Sequence, residues 1–192
     1  MSTNIILCGV GGQGTILASK LIAAAAMKKG IMVRTAETIG MAQRGGSVFS
    51  HLKLGSGSFS PLIGRGRADL IIGFEPAEAV RQLPFLKKGG TVVVSSHPIF
   101  PVSAMIGDSV YDTASVMSYL KEHTEHLTVV DSAWAANELG SAKVLNVLLL
   151  GAAVQTGHLG LSRQDLLEVI HERMPEKFWE MNEKALSFAD NR

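Results

Sequence analysis

One cysteine, Cys8, is all the thiol chemistry available to this 192-residue chain. A lone cysteine forms no intramolecular disulfide and cannot ligate an iron–sulfur cluster, which takes about four thiolates. At the end of a short apolar run, it reads as a small buried hydrophobe rather than a nucleophile. Charge of one sign is also lacking: 18 Lys and Arg stand against 17 Asp and Glu, a net +1. Neither nucleic acid nor an anionic membrane surface is therefore an expected partner. The six histidines include no H-x-x-x-H or H-x-x-E-H spacing, so no metal site is predicted. The longest apolar run, residues 144–154, is broken by Asn146 and Gly151 and falls short of the ~20 residues of a membrane span. Residues 1–4 carry no charged leader region, which predicts no signal peptide and a cytoplasmic chain. Aromatic residues are only 6% of the total; Trp134, Phe178 and Trp179 read as core or interface anchors, not as a cofactor box.

What is present is apolar and periodic. Apolar residues make up 46% of the chain and mean hydropathy is +0.23, enough for one well-buried domain with apolar surface to hide. A homodimer of the isolated chain is compatible with that surplus. Strand-like runs at 4–7, 31–33, 68–74, 91–94 and 127–130 alternate with helix-like stretches at 16–27, 76–86 and 111–123. Gly30 stops the first helix and Pro76 opens the second. The β-branched content of Thr91, Val92, Val93 and Val94 suits a buried parallel strand. The last third is helical only: an apolar helix over 143–156, a helix over 162–174 with Ser162 as cap and Asp165 completing a capping box, and, after Pro175, a helix over 176–189. One segment breaks the alternation. The extended run 48–54, the stretch Gly55-Ser56-Gly57-Ser58 and the extended run 59–63 predict a β-hairpin where a crossover helix would be expected. The fold class that follows is α/β: a three-layer, Rossmann-like domain with a mainly parallel sheet, an inserted β-hairpin and extra C-terminal helices.

The strongest local signal is Gly9-Val10-Gly11-Gly12-Gln13-Gly14-Thr15, between the first strand and the first helix. Gly9, Gly11 and Gly14 satisfy G-x-G-x-x-G where such a loop can work. Glycine permits positive φ and close approach to the backbone, and the N–H groups that open the helix favour an anion. Gly9, Gly11, Gly12 and Gly14 read either as a nest for a phosphate or carboxylate or as a tight turn that packs helix on strand. Gln13 and Thr15 either hydrogen-bond a ligand or cap the helix.

A second cluster lies at Gln43-Arg44-Gly45-Gly46-Ser47. The Gly45-Gly46 pair lets the backbone present a side chain or approach a ligand, and the Arg44 guanidinium suits a phosphate or carboxylate. Arg44 is the strongest candidate for active-site duty; the alternative is an ion pair across a subunit interface. Glu37 stands where a dinucleotide-binding fold places its ribose carboxylate, although the sequence after it does not continue as an ordinary helix–strand unit. His51 reads as structural, His97 and His158 as loop residues. Ser95 and Ser96 end a strand on the side where open α/β sheets bind ligands. Asn146, inside an apolar helix, needs partners and so braces a loop or an interface.

The glycine loop, Glu37, the Gln43-to-Ser47 segment and Ser50-His51 form a set. With the Ala68-to-Gly73 strand and the Asn146-to-Gly151 helix, it resembles the gamma-type subunits of the 2-oxoacid:ferredoxin oxidoreductases, the indolepyruvate branch in particular. The resemblance spans most of the chain and implies one gamma-type catalytic domain over residues 1–192. It implies an accessory subunit, inactive alone, of an enzyme that oxidatively decarboxylates a 2-oxoacid, indolepyruvate or another aryl pyruvate, to an acyl-CoA while reducing ferredoxin. Thiamine diphosphate and the iron–sulfur clusters would sit on a larger partner subunit: this chain lacks cluster cysteines, and Gly107-Asp108-Ser109 does not match a thiamine diphosphate motif. Gly9, Gly11, Gly12, Gln13, Gly14, Thr15, Gly45 and Gly46 would border coenzyme A or the substrate approach. Two other readings stand beside it, a stand-alone dinucleotide-binding oxidoreductase and a non-catalytic assembly module.

Overall fold

The computed structural model describes residues 2–37, 45–55, 60–100 and 110–187, without the side chains of residues 135, 136 and 142. In chain order these residues form β1 (Thr3–Val10), α1 (Thr15–Lys28), β2 (Val33–Glu37), β3 (Ser47–Leu54), β4 (Ala68–Gly73), α2 (Pro76–Gln82), β5 (Leu86–Ser95), α3 (Thr113–His123), β6 (His126–Val130), α4 (Ser132–Leu139), α5 (Leu145–Gln155), α6 (Arg163–Arg173) and α7 (Trp179–Ser187). Single 3₁₀ turns follow α2 and precede α5 and α7.

The strands make one six-stranded sheet in the order β2-β3-β1-β4-β5-β6. Pairings β1–β4, β4–β5 and β5–β6 are parallel, whereas β3 runs antiparallel to both β1 and β2. Side chains alternate faces along a strand, and here both faces are apolar. Ile5, Leu7, Leu70, Ile72 and Val93 join the cluster under α1, α5, α6 and α7. Ile6, Cys8, Ile71, Val92 and Val94 join the one with Ala79 of α2 and Leu120 of α3. That is why β1, β4 and β5 read as unbroken apolar runs. Helix α5 is buried from Asn146 to Ala153 because it lies between the sheet and α7, which explains an apolar surface all round.

The three-layer α/β class with a mainly parallel sheet stands, with three corrections of detail. The antiparallel insertion is not a hairpin of 48–54 with 59–63: its first arm is β3, bonded to β1 and β2, and Ser60 to Ile63 are outside any strand. Bonding to both β1 and β2 gives β3 two full ladders, more backbone hydrogen bonds than a hairpin with 59–63 would supply, which outweighs the local turn signal. The stretch Lys87-Lys88-Gly89-Gly90, between the helix expected over 76–86 and the strand expected over 91–94, is already strand in β5; the Lys87 ammonium pairs with the Asp69 carboxylate of β4 and anchors it there. Helix α4 was not foreseen; its signal was Asp131, whose carboxylate accepts from the Trp134 N–H at 3.0 Å. The Ser162 capping box is present as expected, with Asp165 returning a bond to the Ser162 N–H at 2.7 Å.

Candidate functional site

The candidate site lies at the carboxyl ends of β1, β4, β5 and β6, where open α/β sheets place ligands. Its centre is the loop from β1 to α1. Gly12 and Gly14 have φ of +104° and +86°, values that a side chain resists. Gly9 is needed for a different reason: a Cβ there would sit 2.7 Å from both Gln13 Oε1 and Phe74 Cβ. The Gln13 amide folds back over the loop. Its Oε1 accepts from the Val10 N–H at 2.7 Å, and its Nε2 donates to the Phe74 carbonyl at 2.9 Å. Gln13 thus ties the ends of β1 and β4 together instead of pointing outward. Thr15 is buried at the first turn of α1.

The structure brings the second glycine pair to the first. The Gly11 N–H donates to the Gly46 carbonyl at 2.9 Å, and the Gly45 N–H donates to the Gly11 carbonyl at 3.3 Å. These two bonds extend the β1–β3 ladder, whose last pair is Val10 with Ser47. The chain entering β3 therefore crosses directly beside the loop. Arg44 and Gln43, together with Met41, lie outside the described residues. Asn146 arrives from α5: its Nδ2 is 3.2 Å from where a Gly14 Cβ would be, and its Oδ1 accepts from the Val147 N–H at 2.9 Å. It thus packs against the glycine loop at Gly14.

Two glutamates that sequence reasoning passed over complete this edge. Glu75 and Glu78 are buried, 1% and 6% exposed, on the turn from β4 into α2. Glu75 caps that helix, accepting from the Glu78 N–H at 2.9 Å, and also accepts the Tyr111 hydroxyl. Burial, and then the Glu75 carboxylate, pushes the Tyr111 phenol well above its ordinary range. Glu78 accepts the Ser47 hydroxyl at 2.5 Å. Cys8 lies beneath, wholly buried; burial and the two carboxylates push its thiol up, so it is not poised as a nucleophile. The available signal was Glu75 itself, an acid at the exit of an apolar strand and just before a helix-opening proline.

The remaining candidates are dispersed. Glu37 accepts from the Ser19 hydroxyl at 3.4 Å, tying β2 to α1. His51 is buried between the rings of Phe49 and Phe85, and its Nδ1 accepts from the Ile63 N–H at 2.8 Å. Burial lowers its basicity, and it holds the segment after β3 on the sheet. Ser95 and Ser132, at the ends of β5 and β6, share a hydrogen bond of 2.7 Å. Ser132, at the start of α4, lines a cavity of about 270 Å³ between α4 and α5 that His97 also lines. His158 is exposed beyond α5. Trp179 packs on the His171 ring and donates to the Met174 carbonyl at 2.8 Å, while Trp134 and Phe178 remain 40% and 39% exposed. Among the described residues no group of three or more His, Cys, Asp or Glu is arranged to hold a metal ion, and the single, buried thiol does not fit a cluster.

A family model for pyruvate ferredoxin/flavodoxin oxidoreductase matches residues 4–189. The chain belongs to that family. It is 38% identical over 184 residues to the indolepyruvate oxidoreductase subunit IorB of Thermococcus kodakarensis, covering 95% of this chain and 91% of that one. It is equally similar, at 38% over 192 residues, to the IorB subunit of Archaeoglobus fulgidus, covering 100% and 95%. Within the family it is of the accessory, gamma-subunit type, part of an oxidoreductase complex. The fold matches the gamma subunit of a keto/oxoacid ferredoxin oxidoreductase from Geobacter sulfurreducens, with a TM-score of 0.72 at 23% identity over 100% of this chain and 95% of that one. It also matches a 2-oxoglutarate:ferredoxin oxidoreductase from Magnetococcus marinus, solved with 2-oxoglutarate, coenzyme A and succinyl-CoA, with a TM-score of 0.71 at 21% identity. There it covers 99% of this chain but 30% of the other. The same unit thus occurs as a separate chain and as part of a larger one. No helix among the described residues is long and apolar enough to cross a membrane.

Proposed function

We propose that this chain is the accessory subunit of an indolepyruvate:ferredoxin oxidoreductase, which converts an aryl pyruvate to its acyl-CoA and passes the electrons to ferredoxin. The observation that carries this reading is the 38% identity to archaeal IorB subunits over nearly the full length of both chains. Thiamine diphosphate and the iron–sulfur clusters belong to a larger partner subunit in this reading, since one buried cysteine supplies no cluster ligands here. When bound on the partner, thiamine diphosphate supplies the carbanion chemistry. This chain's residues shape the approach: Gly11 is held against Gly45 and Gly46, the residues that follow Arg44 in the chain. The role assigned to the Arg44 guanidinium in this reading is to pair with an anionic group of coenzyme A or the oxoacid. Residues 1–192 act as one domain in a cytoplasmic complex, and the chain without its partner is inactive and forms a homodimer. The stand-alone dinucleotide reading would need Glu37, one oxygen of which accepts from the Ser19 hydroxyl of α1 at 3.4 Å, to receive a ribose with the other.

The test is anaerobic co-expression with the larger subunit. The two chains should co-purify with iron–sulfur absorbance and thiamine diphosphate, and reduce ferredoxin only when indolepyruvate and coenzyme A are both present. Full activity of the larger subunit without this chain would overturn the proposal, as would a nucleotide-loaded chain that purifies without a partner.

A further inference from the structure

The cavity at the ends of β5 and β6 has no part in the function proposed above, and its wall chemistry is specific. Its apolar side is Ala133 of α4, Val144, and Leu145 and Leu148 of α5; its polar side is Ser132, Asn137, Ser141 and His97. Among the described residues that line it there is no Lys, Arg, Asp or Glu to compensate a phosphate or a carboxylate. At about 270 Å³ it lies just below the ~300–1,000 Å³ usual for ligand sites, room for one ring system and too little for a nucleotide.

The Ser132 hydroxyl can offer a directed bond to the cavity. The Ser95 oxygen accepts the His97 N–H at 3.1 Å and lies 2.7 Å from the Ser132 oxygen, with both serines buried. When Ser95 donates to Ser132, the Ser132 hydroxyl keeps its proton and a lone pair for a partner in the cavity. A half-open, largely apolar cavity with that buried hydroxyl among a few polar groups is the pattern of a small-molecule site.

We infer that this cavity binds an uncharged aromatic ring carrying one polar atom, of the indole or phenol kind. The ring lies against Leu145, Leu148 and Ala133, and its polar atom meets Ser132. The site is separate from the glycine loop but shares a wall with it. Leu145 and Leu148 face the cavity, and Asn146 between them touches Gly14. Occupancy therefore bears on the first turn of α5, and through Asn146 on the loop.

The experiment is titration of indole into the full chain, followed by calorimetry and by amide chemical shifts. It requires neither the partner subunit nor turnover, so its outcome is independent of the oxidoreductase reading. Saturable one-site binding is expected, with shifts at Ser132, Leu148 and Gly14. The Ala133→Phe variant, altered at an exposed position on the first turn of α4, should weaken binding about tenfold or more. This loss corresponds to ~1.4 kcal/mol. Should that variant fail to fold, Ser141→Phe closes the same space from the other wall. Indole-3-acetate, which adds a carboxylate, should bind about tenfold more weakly than indole. Absence of saturable binding, retention of affinity when the cavity is filled, or equal affinity for the charged analogue would each overturn the inference.

Discussion

At the scale of single residues, the glycine loop is over-determined by its own packing. Gly9 makes room for Gln13 and Phe74, and Gln13 satisfies one backbone donor and one acceptor on neighbouring strands. A loop held this firmly presents its remaining N–H groups in a fixed direction. The side chain it serves in the proposed function is Arg44. The Arg44→Ala variant should assemble normally with the larger subunit yet lose turnover about tenfold or more, as expected for one charge-assisted hydrogen bond of ~1.5–3 kcal/mol. Size-exclusion chromatography and ferredoxin reduction separate the two effects; failure to assemble would make Arg44 an interface residue. His51 gives a stability prediction. Burial and, second, Lys53 hold its basicity below the ordinary value in the fold, whereas the unfolded chain protonates it near pH 6.5. Its contribution is therefore complete above about pH 6.5 and is lost as pH falls below that value toward the folded pKa. His51→Gln keeps an acceptor for the Ile63 N–H without titrating, so its stability should fall less than that of the parent between pH 7 and 5. Equal pH slopes in urea unfolding would refute this account.

At the scale of elements, the C-terminal helices are a packing layer on one face of the sheet. Helix α6 is tied to the end of α1 by Lys29 to Asp165 at 2.7 Å and Lys28 to Glu168 at 3.2 Å. These pairs are solvent-exposed and contribute little to stability. The contact that matters is α5 against α7. A Cβ on Gly151 would lie 2.3 Å from the Leu186 carbonyl oxygen, and a backbone atom cannot rotate away. Gly151→Ala should cost roughly 1–3 kcal/mol by overpacking, despite the better helix propensity of alanine. Thermal denaturation measures it; an unchanged or raised Tm would show that α7 shifts freely. Much at this level was legible in the chain. Ser162 and Asp165 marked a helix start that is present, and Pro76 marked another. The partner choice of β3 was not legible, because a strand with apolar residues on both faces carries no mark of which neighbours it bonds.

At the scale of the whole molecule, both apolar clusters are built on the same sheet, since Ile5 and Leu7 face one side while Ile6 and Cys8 face the other. Neither layer can be removed without exposing strands that the other needs. The chain should therefore unfold in one cooperative step. The check is coincidence of the far-ultraviolet circular dichroism transition with that of fluorescence from Trp134 and Trp179, which stand on α4 and α7. Two separated midpoints would mean that the C-terminal helices form an independent unit.

By itself the sequence determined the alternation of strand and helix, the burial of β1, β4 and β5, the β1–α1 glycine turn and the absence of cluster ligands. Each follows from side-chain periodicity, backbone freedom at glycine, or a count of thiols. Only the tertiary structure decided that Gly45 and Gly46 bond to Gly11, that Asn146 packs against Gly14, and that Glu75 and Glu78 line the same edge with Tyr111 and Ser47. Those partners lie 31 or more positions apart. No local propensity encodes such pairs: they meet because six strands share one sheet, whose carboxyl ends gather residues from most of the chain on a single edge.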